Sequence, residues 1–361
     1  MLRRRDFLKR TAATGIAAAI SRPGLAAPQT AGGNGPRAGI AQTVLGPLDV
    51  SKLGYTLPHE HIADGPFFLG KWSKGGRAAF TAEAVEKLKK MRAAGIDTIV
   101  DLTPYDVGRD IRFLEEVSRK SGLHMIAATG QRFFPPQYPG VSMPSRTVEG
   151  LAEFFIKEIE QGIDGTDIKA GVIKIGVISG QPTELEATGL RAAIRASKAT
   201  GLPIRIHTDA AKRAGVSDAV ILEEADMDPS RVSFDHSDGI DDMDYFLGLV
   251  RRGYCLGMDH VHRGTAANAS PSFERRAECI KLLAEAGFAG KIFLSQDAEF
   301  GGSLLAEDAK DFRSKLDPAD GMLFTARKLI PYLKQIGVSD RDIHTMTVEN
   351  PRSFFAISQR R

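Results

Sequence analysis

Eight short apolar, β-prone runs punctuate residues 55–295, and nearly every one is followed by a stretch of helical period. The runs lie at 55–59, 98–102, 124–129, 171–176, 203–207, 232–236, 254–258 and 291–295. Amphipathic segments fall at 82–94, 111–121, 148–162, 185–200, 216–225, 243–252, 273–286 and 321–336. In 82–94, for example, Val85, Leu88 and Met91 share one helical face. Gly95, Gly122, Gly201, Gly253 and Gly287 stand just past predicted helix ends, where a left-handed cap favours glycine. So regular an alternation leaves few folds open, because each strand–helix unit lays its helix back over a parallel sheet. The pattern predicts an α/β protein, a (β/α)8 TIM barrel. A doubly wound open sheet is the second choice, but no Gly-x-Gly-x-x-Gly follows the first run.

In a barrel, chemistry collects at the C-terminal strand ends. His59-Glu60-His61 closes the first run, and alternate residues of a strand face one way, so its two imidazoles can aim at one point. Lys174, His207 and His236 stand at later strand ends, and Ser295-Gln296-Asp297 follows the last. His59, His61 and Asp297 could hold one divalent ion, and His207 and His236 a second. An ammonium has no lone pair, but a lysine amine that adds CO2 becomes a carbamate, so N6-carboxylated Lys174 could bridge the pair. Taken singly, each histidine reads as a hydrogen-bonded barrel residue and Lys174 as a snorkelling or ion-paired lysine. Their convergence on one end of the barrel favours the metal reading.

Composition narrows the partners. The 361 residues, 42% hydrophobic, can bury one large core or two ordinary ones. The formal charge of +3 is misleading, since residues 1–27 carry six of the 48 basic residues and one of the 45 acidic ones. Without them 42 basic residues face 44 acidic, leaving no basic stripe for nucleic acid and no polybasic patch for a membrane. Residues 1–27 read as a signal peptide: Arg4-Arg5-Asp6-Phe7-Leu8-Lys9 resembles the twin-arginine consensus, and small residues follow near Ala26-Ala27. The apolar stretch at 11–20 is too short to span a bilayer, so stable membrane insertion is not expected and periplasmic localisation is. Residues 28–40 read as a flexible linker, and 41–361 as the barrel. Cys255 and Cys279 are expected as two unpaired buried thiols.

Taken together, these motifs resemble the phosphotriesterase family of the amidohydrolase superfamily. The resemblance runs from about Gly46 to Phe355. It includes Gly54-Tyr55-Thr56-Leu57-Pro58-His59-Glu60-His61, Gly108-Arg109-Asp110, Ala128-Thr129-Gly130, Gly171-Val172-Ile173-Lys174, His207-Thr208, His236-Ser237-Asp238, Asp259-His260 and Asn350-Pro351. It implies a binuclear centre, typically zinc, with His59, His61, carboxylated Lys174, His207, His236 and Asp297 as ligands. Manganese, cobalt or iron would suit the same donors. It further implies that a water activated between the two ions attacks a phosphorus or acyl carbon. Asp297 would take the proton, and His260 would pass it outward.

The chain departs from the family pattern around this centre. Gly239 stands where the relay would continue to an aspartate, and Asp238, Asp241 and Asp242 flank it. Gln131-Arg132-Phe133 follows the third strand, Glu299 stands two residues past Asp297, and Gly302 and Leu305 occupy a region that is aromatic in the phosphotriesterase branch. Arg132, Phe133 and Glu299 are therefore the expected substrate-binding residues, with a charged rim suited to a polar or anionic substrate. Arg132 pointing outward or pairing with Glu299 is the alternative. The expected substrate is a small-molecule ester, lactone or organophosphate. The readings weighed are a phosphotriester hydrolase, a lactonase or carboxylesterase with promiscuous phosphotriesterase activity, and a non-catalytic periplasmic metal-binding barrel. A homodimer is compatible with the family, though no sequence feature requires one.

Overall fold

A hairpin that the pattern did not announce precedes the barrel. Its strands, β1 (Ile40–Thr43) and β2 (Gly46–Asp49), pair antiparallel with Ile40 opposite Asp49. Ile40, expected as the last residue of the linker, thus belongs to a strand. The computed structural model describes residues 39–62, 76–137, 140–298 and 321–357. The expected signal peptide and nearly all of the linker lie outside them.

All eight predicted runs form strands: β3 (Thr56–Glu60), β4 (Thr98–Asp101), β5 (His124–Gln131), β6 (Val172–Val177), β7 (Ile204–Thr208), β8 (Val232–Asp235), β9 (Cys255–Met258) and β10 (Ile292–Leu294). They are parallel and neighbour one another in strict sequence order. The helices α1 (Gly76–Ala93), α2 (Ile111–Ser121), α3 (Val148–Glu160), α4 (Glu184–Thr200), α5 (Ala214–Glu224), α6 (Met243–Arg251) and α7 (Phe273–Glu285) connect them. Helical turns from Gly321 lead into α8 (Ile330–Gln335), and α9 (Asp340–His344) and α10 (Asn350–Phe355) follow. Several helices begin on strong caps; in α4 the Thr183 hydroxyl and the Glu186 carboxylate bond each other's backbone N–H reciprocally.

The strands alternate as the sequence requires. Ile173, Ile175, Ile204, Ile206, Phe234, Leu256 and Leu294 face outward and pack under the helices. Val100, Ile126, Ala128, Val172, Cys255 and Phe293 face inward, joined by Ala41 of the hairpin and by Phe354 and Phe355 of α10. This apolar floor fills the N-terminal half of the barrel. Above it sits a polar layer: Lys174 and Arg205 are buried beside Asp235, and the Arg205 guanidinium lies 4.9 Å over the Phe293 ring.

The seam between β10 and β3 is closed by side chains together with two backbone hydrogen bonds, from the Asp297 N–H to the His59 carbonyl and from the His61 N–H to the Ala298 carbonyl. The Ser295 hydroxyl accepts the His59 N–H at 3.0 Å and lies 2.6 Å from the Glu60 carboxyl. Glu60 also accepts the backbone N–H groups of Gln296 and Ala298. Burial pushes the Glu60 carboxyl up to about 8 against the pull of these donors. The middle residue of His-Glu-His thus closes the barrel while its neighbours face the mouth.

Candidate metal centre and active site

The β3–β4 pairing slips between Leu57 and Glu60, and both flanking histidines turn into the barrel mouth with ring centroids 5.4 Å apart. Each is held by its Nδ1. The His59 Nδ1 lies 2.7 Å from Asp259 Oδ2, and the His61 Nδ1 lies 2.8 Å from the Thr103 hydroxyl. A carboxylate on Nδ1 makes that nitrogen the proton donor, so the His59 Nε2 presents its lone pair to the cavity. The Nε2 atoms of His59 and His61 lie 3.3 and 3.1 Å from Asp297 Oδ1.

His236 and Asp297 both leave their strands in left-handed conformations, at φ 60° and 47°. Such a backbone costs about 1–3 kcal/mol in a residue other than glycine and concentrates at functional sites. For His236 the result is a ring whose Nδ1 lies 2.9 Å from Asp259 Oδ1 and whose Nε2 lies 2.5 Å from the His207 Nδ1. Two ring nitrogens this close share one ring proton in a hydrogen bond, the proton that an ion bound between these side chains would replace. The Lys174 Nζ lies 3.2 Å from the His59 Nε2 and donates to Asp235 at 2.6 Å. Gly130 makes room for the Lys174 backbone, since a Cβ there would sit 1.8 Å from the Lys174 carbonyl oxygen.

The electrostatics suit a metal. Burial holds His59, His207, His236 and His260 below the ordinary histidine value, which keeps lone pairs available. Burial alone would raise Asp297, but His59 and the bonds from His260 and His61 hold it well below the usual carboxylate range. Burial also lowers Lys174 toward its free amine, the form that adds CO2. Neutral imidazoles, an ionised carboxylate and an amine are the protonation states that metal binding demands, so the residues present fit a divalent centre. Three clusters have ligand atoms close enough to share an ion: His59–His61–Asp297, His236–His260–Asp297 and His59–His236–Asp259. In the last, both Asp259 oxygens are already engaged by the Nδ1 atoms of the two rings, so Asp259 supports the site from behind.

A cavity of about 620 Å³ opens over these residues, with His61, His207, His236, His260 and Asp297 in its lining. The His260 Nε2 lies 2.7 Å from Asp297 Oδ2, and its ring stacks on His236 at 4.0 Å. Asp238 does not continue this chain through the ring. Its carboxylate accepts the backbone N–H groups of Asp259 and His260 and pairs with Arg276. Asp241 pairs with Arg275 and Asp242 with Arg213. Gly239 lines the cavity.

Arg132 and Phe133 line the same cavity. The Arg132 Nη2 donates to the His207 Nε2 at 2.8 Å, and its guanidinium lies 4.5 Å over the Phe133 ring. The buried Asp106 carboxylate anchors this loop by accepting both backbone N–H groups, at 2.9 and 2.8 Å. Glu299, Gly302 and Leu305 lie outside the described residues. Cys255 and Cys279 are both free and buried. Sequence reasoning assigned no role to Asp259, Asp235, Thr103, Asp106, Lys212 or Arg263, although Asp259 and Asp235 stand at strand ends where such groups are expected.

The family model for the phosphotriesterase family matches residues 39–355. A phosphotriesterase homology protein of Mycobacterium tuberculosis is 33% identical over 323 residues, covering 87% of this chain and 96% of its own. An aryldialkylphosphatase of Saccharolobus solfataricus is 29% identical, covering 86% of this chain and 97% of its own. A solved structure of a phosphotriesterase-like lactonase variant from Deinococcus radiodurans superposes with a TM-score of 0.77 at 31% identity, covering 88% of this chain and all of that one. With the histidines and Asp297 gathered at the mouth of a (β/α)8 barrel, these likenesses agree on one assignment: the chain is a hydrolase that belongs to the phosphotriesterase family.

Proposed function

We propose that this chain hydrolyses ester-type bonds, phosphotriesters or carboxylic esters including lactones, at a binuclear metal centre. His59, His61 and Asp297 would hold one ion and His207 and His236 the other. N6-carboxylated Lys174 would be shared between them: its nitrogen bonds the carbon of CO2, loses a proton and leaves a carboxylate. The observation that carries the reading is the convergence of potential ligand atoms. Nε2 of His59 and His61 meet Asp297 Oδ1, and Nδ1 of His207 meets Nε2 of His236, with the Lys174 amine adjoining the first set. Bound divalent ions, zinc or alternatively manganese, cobalt or iron, would supply Lewis acidity and bring the pKa of water down to about 7.

The chain's own residues divide the remaining work. Asp297 uses Oδ1 toward the imidazoles and Oδ2 toward His260, so a proton received by its carboxylate has a 2.7 Å path to the His260 Nε2. Burial and the neighbouring His236 hold His260 below the ordinary histidine value, and the ring would accept the proton at Nε2 in the tautomer that carries its own proton on Nδ1. Arg132 and Phe133, with Glu299, would contact the substrate. Likeness to a phosphotriesterase-like lactonase favours lactones as a second class of substrate on the same centre. Export by the twin-arginine pathway to the periplasm, supported by Arg4-Arg5, completes the reading and is tested by cell fractionation.

The deciding experiment assays metal-reconstituted protein on parallel panels of paraoxon-like esters and lactones, with zinc, cobalt or manganese added. Lys174→Ala should lose metal, and Asp297→Asn should retain part of it while losing turnover. A protein that takes up no transition metal and turns over neither panel would instead be a binding barrel.

A further inference from the structure

Three cationic side chains reach the cavity from three separate loops. Arg132 follows β5, Lys212 lies in the turn after β7, and Arg263 lies in the turn after β9. Among the described residues only two acids line the same space, Asp209 and Asp297, and both are engaged. Asp209 caps its own turn and pairs with Lys212 at 3.0 Å, and Asp297 faces the imidazoles. Arg263 touches Asp297 at only 3.4 Å, its side chain is about a third exposed, and its buried Nε meets no acceptor among the described residues. On the other flank, Arg132 stands at His207. The two guanidinium groups thus bracket the ligand cluster, with Lys212 at the rim.

Resting on the hydrolase reading above, we propose that this wall is an oxyanion subsite: the preferred substrate is an ester or lactone bearing a fixed carboxylate, sulfonate or phosphate. Arg263 and Arg132 are its specificity-determining residues. A neutral aryl ester would set apolar surface against these guanidinium groups and give the Arg263 Nε no acceptor, whereas an oxyanion offers charge-assisted hydrogen bonds. Occupied metal positions would only add positive charge. The discrimination expected from one or two such bonds is about 10- to 100-fold in kcat/KM.

The test uses metal-loaded protein and matched pairs: a carboxylated lactone against its methyl ester, with sulfonate- and phosphate-bearing analogues as further arms. The charged member should be preferred, and the preference should shrink with added salt, since these side chains are reached by solvent. Arg263→Gln and, separately, Arg132→Gln should lower the charged-to-neutral ratio about tenfold or more. Calorimetric binding of the free lactone carboxylate should weaken in parallel, with thermal melting as the control for folding. Neutral members turned over as well as charged ones would overturn the subsite and leave the hydrolase reading intact. A charged preference unchanged in both variants would overturn its assignment to these residues. Turnover of neither member would overturn the hydrolase reading itself.

Discussion

Asp259 holds His59 from behind, its Oδ2 2.7 Å from the ring Nδ1, while its other oxygen holds His236 Nδ1 at 2.9 Å. One carboxylate therefore orients one imidazole of each proposed ligand pair. Burial opposes its charge, but His236 and His59 beside it keep it well below the usual carboxylate range. Asp259→Asn preserves the shape and removes one of the two acceptors. Partners of this kind typically contribute 10- to 100-fold to metal affinity. We expect affinity for both ions to fall by about that factor, read by equilibrium dialysis with metal analysis. An unchanged affinity for either ion would show that its histidine needs no such support.

Arg132 acts on His207 in the opposite sense. A guanidinium can only donate, so its contact with the His207 Nε2 makes that nitrogen the acceptor and leaves the ring proton on Nδ1, the atom facing His236. An ion at Nδ1 needs that proton gone. Arg132→Ala removes both the tautomer bias and a nearby positive charge. The second ion should then bind more tightly, by up to about tenfold or roughly 1.4 kcal/mol, with the first little changed. Stepwise metal titration separates the two; weaker binding of the second ion would refute the antagonism.

The barrel seam supplies a stability prediction. Ser295→Ala would leave the buried His59 N–H without its acceptor and would strip a partner from Glu60. A lost buried hydrogen bond of this kind costs about 1–3 kcal/mol, and the expected loss of Tm is several degrees. Because the same contact positions His59, metal content should fall as well. A lowered Tm with full metal content would mean that the seam closes the sheet without setting the ligand.

The barrel was legible because its signal is periodic. Most of the strands alternate outward isoleucine, leucine and phenylalanine with inward residues, and that pattern survives in a single sequence. The ligand candidates were legible because histidines at three strand ends coincide with Lys174 and Asp297 at two more. The β1–β2 hairpin is two four-residue strands around a Val44-Leu45 turn, too short to show a period. The helices α9 and α10 lie beyond the last strand–helix unit, and their Phe354 and Phe355 declare their place only in contact with Phe293. Asp259 and Thr103 have no local signature, because orienting a ring from behind depends on a neighbour about 200 or 42 positions away. The relay past His260 depends likewise on where Asp238 points, and its carboxylate is turned to backbone and Arg276.

Asp218 offers a test of the fold that is independent of the site. It lies fully buried on α5, and neither carboxylate oxygen has a hydrogen-bond partner among the described residues. Burial, reinforced by the nearby Glu186, raises its pKa well above the ordinary 3.8. Below that ordinary value both folded and unfolded chains hold the proton, and the residue has no effect on the balance. As pH rises, the unfolded chain releases its proton first, so stability falls through the window between the two pKa values and stays reduced above it. Asp218→Asn abolishes the ionisation. The variant should be more stable than the parent at pH 8, by about 1–3 kcal/mol, and nearly equal to it at pH 4. Thermal melting across that range checks both ends; equal stability at pH 8 would mean that the carboxylate is ionised and well solvated where it sits.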